Sequence, residues 1–239
     1  MSATKKCPKC GYSSDAGFED CPSCGVIISK FLETESSLEK LADTEALKIQ
    51  QRKEWGEILT GFETRNKYNI MDSRGNRIFE AEEEGGSFAT VLTRFFLTHL
   101  RPFTINVLSQ EGNKLFVLKR PFRFFFHELD ICKSNGMVLG KVIRRFAIFR
   151  RIYTVLDRNG REIYQLFGPI LRPWTFFIKK GDQELGTIVK KWGGLAKETF
   201  TDADNFGINF PKGLNADRKA IFLGAVFLID FVHFERRRN

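Results

Sequence analysis

Four cysteines in two matched pairs, Cys7-Pro8-Lys9-Cys10-Gly11 and Cys21-Pro22-Ser23-Cys24-Gly25, are the residues whose types and spacing promise the clearest chemistry. Each Cys-x-x-Cys turn aims two thiols at one point, and the glycine after it permits the tight backbone the turn needs. Four thiolates complete a tetrahedral shell, so the spacing predicts one bound Zn²⁺. A closed shell leaves no position for substrate, which makes this zinc structural rather than catalytic. Cys132 stands alone and reads as a small core residue. His99, His127 and His233 lie among apolar neighbours, and no nucleophile, base and orienting group stand together. Covalent catalysis is not expected.

A second candidate is the acidic turn Thr201-Asp202-Ala203-Asp204-Asn205-Phe206-Gly207. Asp202, Asp204 and Gly207 match positions 1, 3 and 6 of a calcium loop, but Phe206 and Phe210 fall at positions 5 and 9, where oxygen is wanted, and no carboxylate stands at position 12. Asp202, Asp204 and Asn205 thus make a weak Ca²⁺ site at best. The alternative, which is favoured, is a turn whose polar side chains bond backbone while Phe206, Ile208 and Phe210 alternate into a core. Lys179-Lys180 and Lys190-Lys191 offer either a basic lipid-facing patch or solvated strand residues. Basic charge concentrates after residue 60: residues 61–239 hold 30 Lys/Arg against 19 Asp/Glu, whereas residues 1–60 hold 8 against 10. Such a surface attracts phosphate, on anionic lipid or on nucleic acid. The amino terminus lacks an apolar core, so no secretion signal is expected, and paired cysteines suit metal binding in a reducing compartment.

The elements that must hold these groups fall into three stretches. Residues 1–28 form the metal module, a short zinc ribbon whose fold depends on its ion. Residues 29–60 are charged and read as an exposed helical linker. Residues 61–239 carry strands and tight turns. Apolar residues stand seven and five before a glycine, and three and four after it, around Gly75, Gly112 and Gly160, with a weaker copy around Gly181. This is a hairpin signature, and Asn159-Gly160 is its strongest form. The spacing of these glycines is too irregular for a propeller. Ser87 to Leu100 reads as a helix ending at Arg101-Pro102. Ala220 to Phe234, AIFLGAVFLIDFVHF, is apolar in every direction. Fifteen helical residues rise only about 22 Å, short of the roughly 30 Å of a bilayer core, and Asp230 and His233 are costly in lipid. The run is therefore expected to be a buried core helix. A barrel closed around it removes sheet edges and hides its apolar surface.

Arg101-Pro102-Phe103-Thr104, Lys119-Arg120-Pro121, the string GTIVKKWGGL at 186–195, DADNFGINFP at 202–211 and IFLGAVFLIDFVHFE at 221–235 occur in order. From about Tyr68 to Glu235 the chain resembles the phospholipid scramblases. The resemblance implies the tubby-like fold, a closed antiparallel twelve-stranded barrel around a hydrophobic C-terminal helix. It also implies association with the cytosolic face of a membrane, binding of anionic phospholipid, and Ca²⁺-stimulated movement of phospholipid between leaflets. Three departures stand out. A zinc ribbon of unassigned partner replaces a Pro-rich amino-terminal region. The stretch Arg120 to Phe126 has no cysteine where the animal members are palmitoylated. Gly213 occupies the last position of the family's proposed calcium segment, where an acidic residue belongs. The alternative is a soluble tubby-like module that binds phosphoinositide or nucleic-acid phosphates, with the ribbon as adaptor.

Overall fold

The structure, a computed structural model, describes residues 4–52, 66–84, 102–122, 126–190 and 205–234. Two short strands, β1 (Lys5–Lys6) and β2 (Ser13–Ser14), belong to the cysteine module and precede helix α1 (Ile28–Asp43). The strands β3 (Ala46–Arg52), β4 (Lys67–Met71), β5 (Arg77–Glu83), β6 (Phe103–Ser109), β7 (Lys114–Arg120) and β8 (Glu128–Lys133) follow. Next come β9 (Val138–Arg145), β10 (Arg151–Asp157), β11 (Glu162–Gly168), β12 (Thr175–Lys180), β13 (Gln183–Lys190) and β14 (Asn205–Asn209), then helix α2 (Ala216–His233). Strands β3 to β14 pair antiparallel in chain order, and β14 closes on β3 to make a barrel.

The glycine turns drive this meander. At Gly75, Gly112 and Gly160 the amide donates back to the carbonyl three residues earlier, at 3.0–3.1 Å, while φ lies between 75 and 84°. The pairing register slips by one residue beside each turn, between Ile70 and Met71, Val107 and Leu108, and Val155 and Leu156. These are hairpins in which a left-handed glycine makes a bulge.

Alternate residues of the strands point inward, among them Leu47 and Ile49, Ile70, Val107, Leu118, Leu129 and Ile131, and Val155. They meet α2, which is buried from Lys219 to Phe231. Asn215 caps the helix by accepting from the amide of Arg218 at 3.0 Å. Two glycines let helix and sheet touch: a Cβ on Gly224 would lie 2.7 Å from Ile131, and one on Gly140 2.6 Å from Ile221. No helix of the described residues is long and apolar enough to cross a membrane.

As far as residue 52, the stretch 29–60 is not the linker the sequence suggests. After α1, Leu47 and Ile49 enter the barrel core and β3 pairs with both β14 and β4, so the barrel begins at Ala46 rather than residue 61. The end of α1 is fixed on α2, because the Lys219 ammonium bonds the carbonyls of Ala42 and Thr44, the latter at 2.8 Å, where the negative end of the helix dipole lies. The helix expected at Ser87–Leu100 lies outside the described residues.

Candidate metal centre and charged sites

Two equivalent knuckles build the cysteine cluster. The amides of Gly11 and Gly25 donate to the carbonyls of Cys7 and Cys21 at 3.0 and 2.8 Å, with φ of +79 and +65° that only glycine adopts without strain. The amides of Cys7 and Cys21 return to the carbonyls of Tyr12 and Val26. The four Sγ atoms of Cys7, Cys10, Cys21 and Cys24 all lie within 4.8 Å of one another, a group able to hold a metal ion. Burial opposes ionisation of Cys7, yet the amides of Cys10 and Lys9 and the thiols of Cys21 and Cys10 outweigh it and bring its pKa to about 6. At Cys24 the Val26 amide favours the thiolate, but burial and the three neighbouring thiols prevail and push it up to about 11. One thiolate forms easily here and four resist one another. A central cation is what reconciles four negative sulfurs.

Inside the barrel, where α2 ends, lies a collar of polar groups that the sequence reading did not assemble. Lys190 is only 8% exposed; its Nζ stands 3.5 Å from Asp230 Oδ1 and 4.2 Å from the Phe234 ring centroid. It is thus not a lipid-facing residue. It sits two positions after the buried Ile188, so strand alternation turns it inward. Arg120 follows Leu118 in the same way; its guanidinium is 2.6 Å from His127 Nδ1 and 4.2 Å from the Phe231 ring centroid. Period-two parity was the available signal for both. His233 Nε2 lies 2.8 Å from the Tyr153 hydroxyl. Burial, helped by Arg144 and Arg151, pushes the His233 pKa from 6.5 down to about 3.

The imidazole is therefore neutral in the folded protein, and the unfolded chain takes up the proton first as pH falls. Stability is complete above about pH 6.5 and is lost progressively on acidification, by about 2 kcal/mol at pH 5 from this group alone. Melting curves across this range are expected to fall steeply, and more shallowly in His233→Phe. An unchanged slope in the variant would show that His233 is solvated.

Lys179 and Lys180 remain at the surface. With Arg161 and Arg218, and with Asp157 and Glu162 beside them, they line a cleft of about 420 Å³. Lys179 also approaches Glu184, at 3.9 Å. Asn205 opens β14, buried, and its side-chain oxygen accepts no hydrogen bond among the described residues. Asp202, Asp204 and Lys191 lie outside those residues, as does His99. Cys132 is buried, and burial raises its pKa, as befits an inert core thiol.

A closed antiparallel barrel filled by its own C-terminal helix, preceded by a four-cysteine cluster, defines the class. The family described as "Scramblase" matches residues 26–236. Phospholipid scramblase 1 of Rattus norvegicus is 36% identical over 222 residues, covering 87% of this chain and 65% of that protein. Phospholipid scramblase 2 of Bos taurus is 36% identical over 84% of this chain and 72% of its own length. Phospholipid scramblase family member 5 of Homo sapiens is 34% identical over 87% and 81%. This chain belongs to the scramblase family, and it spans about 65% of the length of the rat protein. A protein of Arabidopsis thaliana with a known X-ray structure is similar over 80% of this chain, at 13% identity and a TM-score of 0.44, a likeness too distant to inform function.

Proposed function

We propose that this protein binds anionic phospholipid at the cytosolic face of a membrane and promotes phospholipid movement between leaflets, with no covalent step. The observation that carries this reading is the identity with proteins named phospholipid scramblases across the barrel. Because α2 fills the barrel, lipid has no route through its centre and must be handled from outside. The excess of Lys/Arg in residues 61–239 makes the attraction electrostatic. Binding to phosphatidylserine vesicles is expected to fall steeply from 0.1 to 1 M salt, as the screening length drops from about 10 to about 3 Å. Calcium affinity at Asp202, Asp204 and Asn205 is expected to be on the order of millimolar. Flotation with and without Ca²⁺, with titration calorimetry, tests both. A micromolar site lost in Asp202→Ala would overturn the weak-calcium reading.

The cleft between Arg161, Lys179, Lys180 and Arg218 favours a second reading, a soluble module that takes phosphate from phosphoinositide or nucleic acid. Tight binding of a soluble inositol phosphate or an oligonucleotide, without vesicle binding, would select it.

The metal is zinc on this reading. A tetrahedron with Zn–S bonds of about 2.3 Å has edges of about 3.8 Å, and Cys7–Cys24 and Cys10–Cys21 stand 3.9 and 3.6 Å apart. The buried Cys7, Cys21 and Ile28 of the metal module are not part of the barrel's core cluster, which starts at Leu41. Cys7→Ser/Cys10→Ser is therefore expected to lose the metal and keep the barrel's thermal transition. Metal analysis finding no zinc in the parent protein, or loss of the barrel transition in the variant, would contradict this.

A further inference from the structure

The two ends of the barrel differ. The short turns at 72–76, 110–113, 134–137, 158–161 and 181–182 share one end with the start of α2. The connections at 146–150 and 169–174 leave from the other, and they are neighbours, because Arg151 pairs with Gly168 and Ile152 with Arg145. Large apolar side chains stand out from these two loops: Phe146, Ile148 and Phe149 are 83, 77 and 74% exposed, and Ile170 and Leu171 are 57 and 94% exposed. Phe126, at the foot of β8, is exposed at the same end.

The charges on these two loops and the strand ends that adjoin them have one sign. Arg144, Arg145, Arg150, Arg151 and Arg172 belong to these loops and their strand ends, and no carboxylate occurs from Ile131 to Leu156 or from Ile163 to Gly181. The loops are also braced. The Arg151 guanidinium donates to the carbonyls of Pro169 and Arg172, both at 3.1 Å, and to that of Pro173. The amide of Arg172 bonds the Pro169 carbonyl at 3.2 Å. Nothing in the core demands apolar residues at these tips, and water opposes them.

We propose that this pair of loops is the membrane-docking tip of the protein, and that its occupant is an anionic bilayer surface. Phe146, Ile148, Phe149, Ile170 and Leu171 enter the boundary between headgroups and acyl chains, while Arg145, Arg150 and Arg172 take lipid phosphates, which guanidinium matches with paired donors. Separate apolar points, each flanked by cations, suit a fluid interface of negative charge; a protein partner would need a continuous face. This rests on the lipid-binding reading above and assigns it a surface. It orients the barrel with α2 pointing its C-terminal end at the membrane and the Lys179–Lys180 cleft away from it.

The test is cosedimentation of the full chain with vesicles of equal parts phosphatidylcholine and phosphatidylserine. Phe146→Asp/Leu171→Asp is expected to weaken partitioning at least about tenfold, and Arg150→Glu/Arg172→Glu similarly, with melting curves unchanged because these side chains are exposed. Met137→Asp, an exposed apolar residue at the opposite end, is expected to bind as the parent does. Should the aspartates disturb folding, Phe146→Ser/Leu171→Ser gives the same comparison. Parental binding in the loop variants would overturn the docking tip and leave lipid binding intact. No vesicle binding by the parent, or its self-association through these loops instead, would overturn both.

Discussion

Leu228→Lys is expected to yield no soluble folded protein. Leu228 is fully buried on a helix that runs inside the closed barrel. An ammonium placed there meets the apolar side chains of the barrel core, and an unpartnered buried charge costs several kcal/mol, a large share of a domain's whole stability of about 5–15 kcal/mol, to which the overpacking of a tightly filled site adds. Leu228→Met preserves volume and is expected to cost less than about 1.5 kcal/mol. Soluble yield and circular dichroism of the two variants decide the matter. A Leu228→Lys protein that stays folded while losing membrane attachment would mean that α2 is a peripheral anchor rather than the core of the barrel.

Asp230→Ala is expected to destabilise the protein by about 3–5 kcal/mol, because it strands the Lys190 ammonium inside the barrel without its carboxylate. Replacing both members, Lys190→Met/Asp230→Leu, removes the charge as well as the pair and is expected to recover most of that loss. The Phe206 and Phe234 rings, which now face the ammonium at 5.3 and 4.2 Å, would pack on the Met side chain instead. Urea midpoints for the three proteins measure this. A single variant as stable as the parent would show that water reaches the pair.

What the sequence disclosed follows from the range of each interaction. The hairpins were legible because their signal is local: a glycine that must take positive φ, framed by alternating apolar residues. The turn at Gly136 has the same geometry, with φ of 86°, and Leu129, Ile131 and Leu139 at the expected offsets. It escaped because the fourth residue after it is Gly140, where the Leu156 carbonyl and Ile221 leave no room for a side chain. That requirement comes from tertiary packing. Strand β3 escaped for a similar reason. Its alternation, Leu47 and Ile49 between Lys48 and Gln50, is only a few residues long, and one of its two partner strands, β14, lies some 160 residues away. The apolar C-terminal run was legible as a core helix because its length and its two polar residues excluded a membrane span. The four cysteines were legible by spacing alone, and they converge. Lys190 was misplaced because a basic pair was counted as surface, although Ile188 two residues before it already set the inward parity.

Leaflet exchange in reconstituted liposomes is the most direct test of the proposed activity. Outer-leaflet reduction of a fluorescent phospholipid stops near half in protein-free vesicles. With this protein incorporated it is expected to run on toward completion, at a rate set by protein content and little changed by micromolar Ca²⁺. Reduction that stops at half in vesicles to which the folded protein is demonstrably bound would contradict lipid scrambling and leave a protein that only docks on membranes.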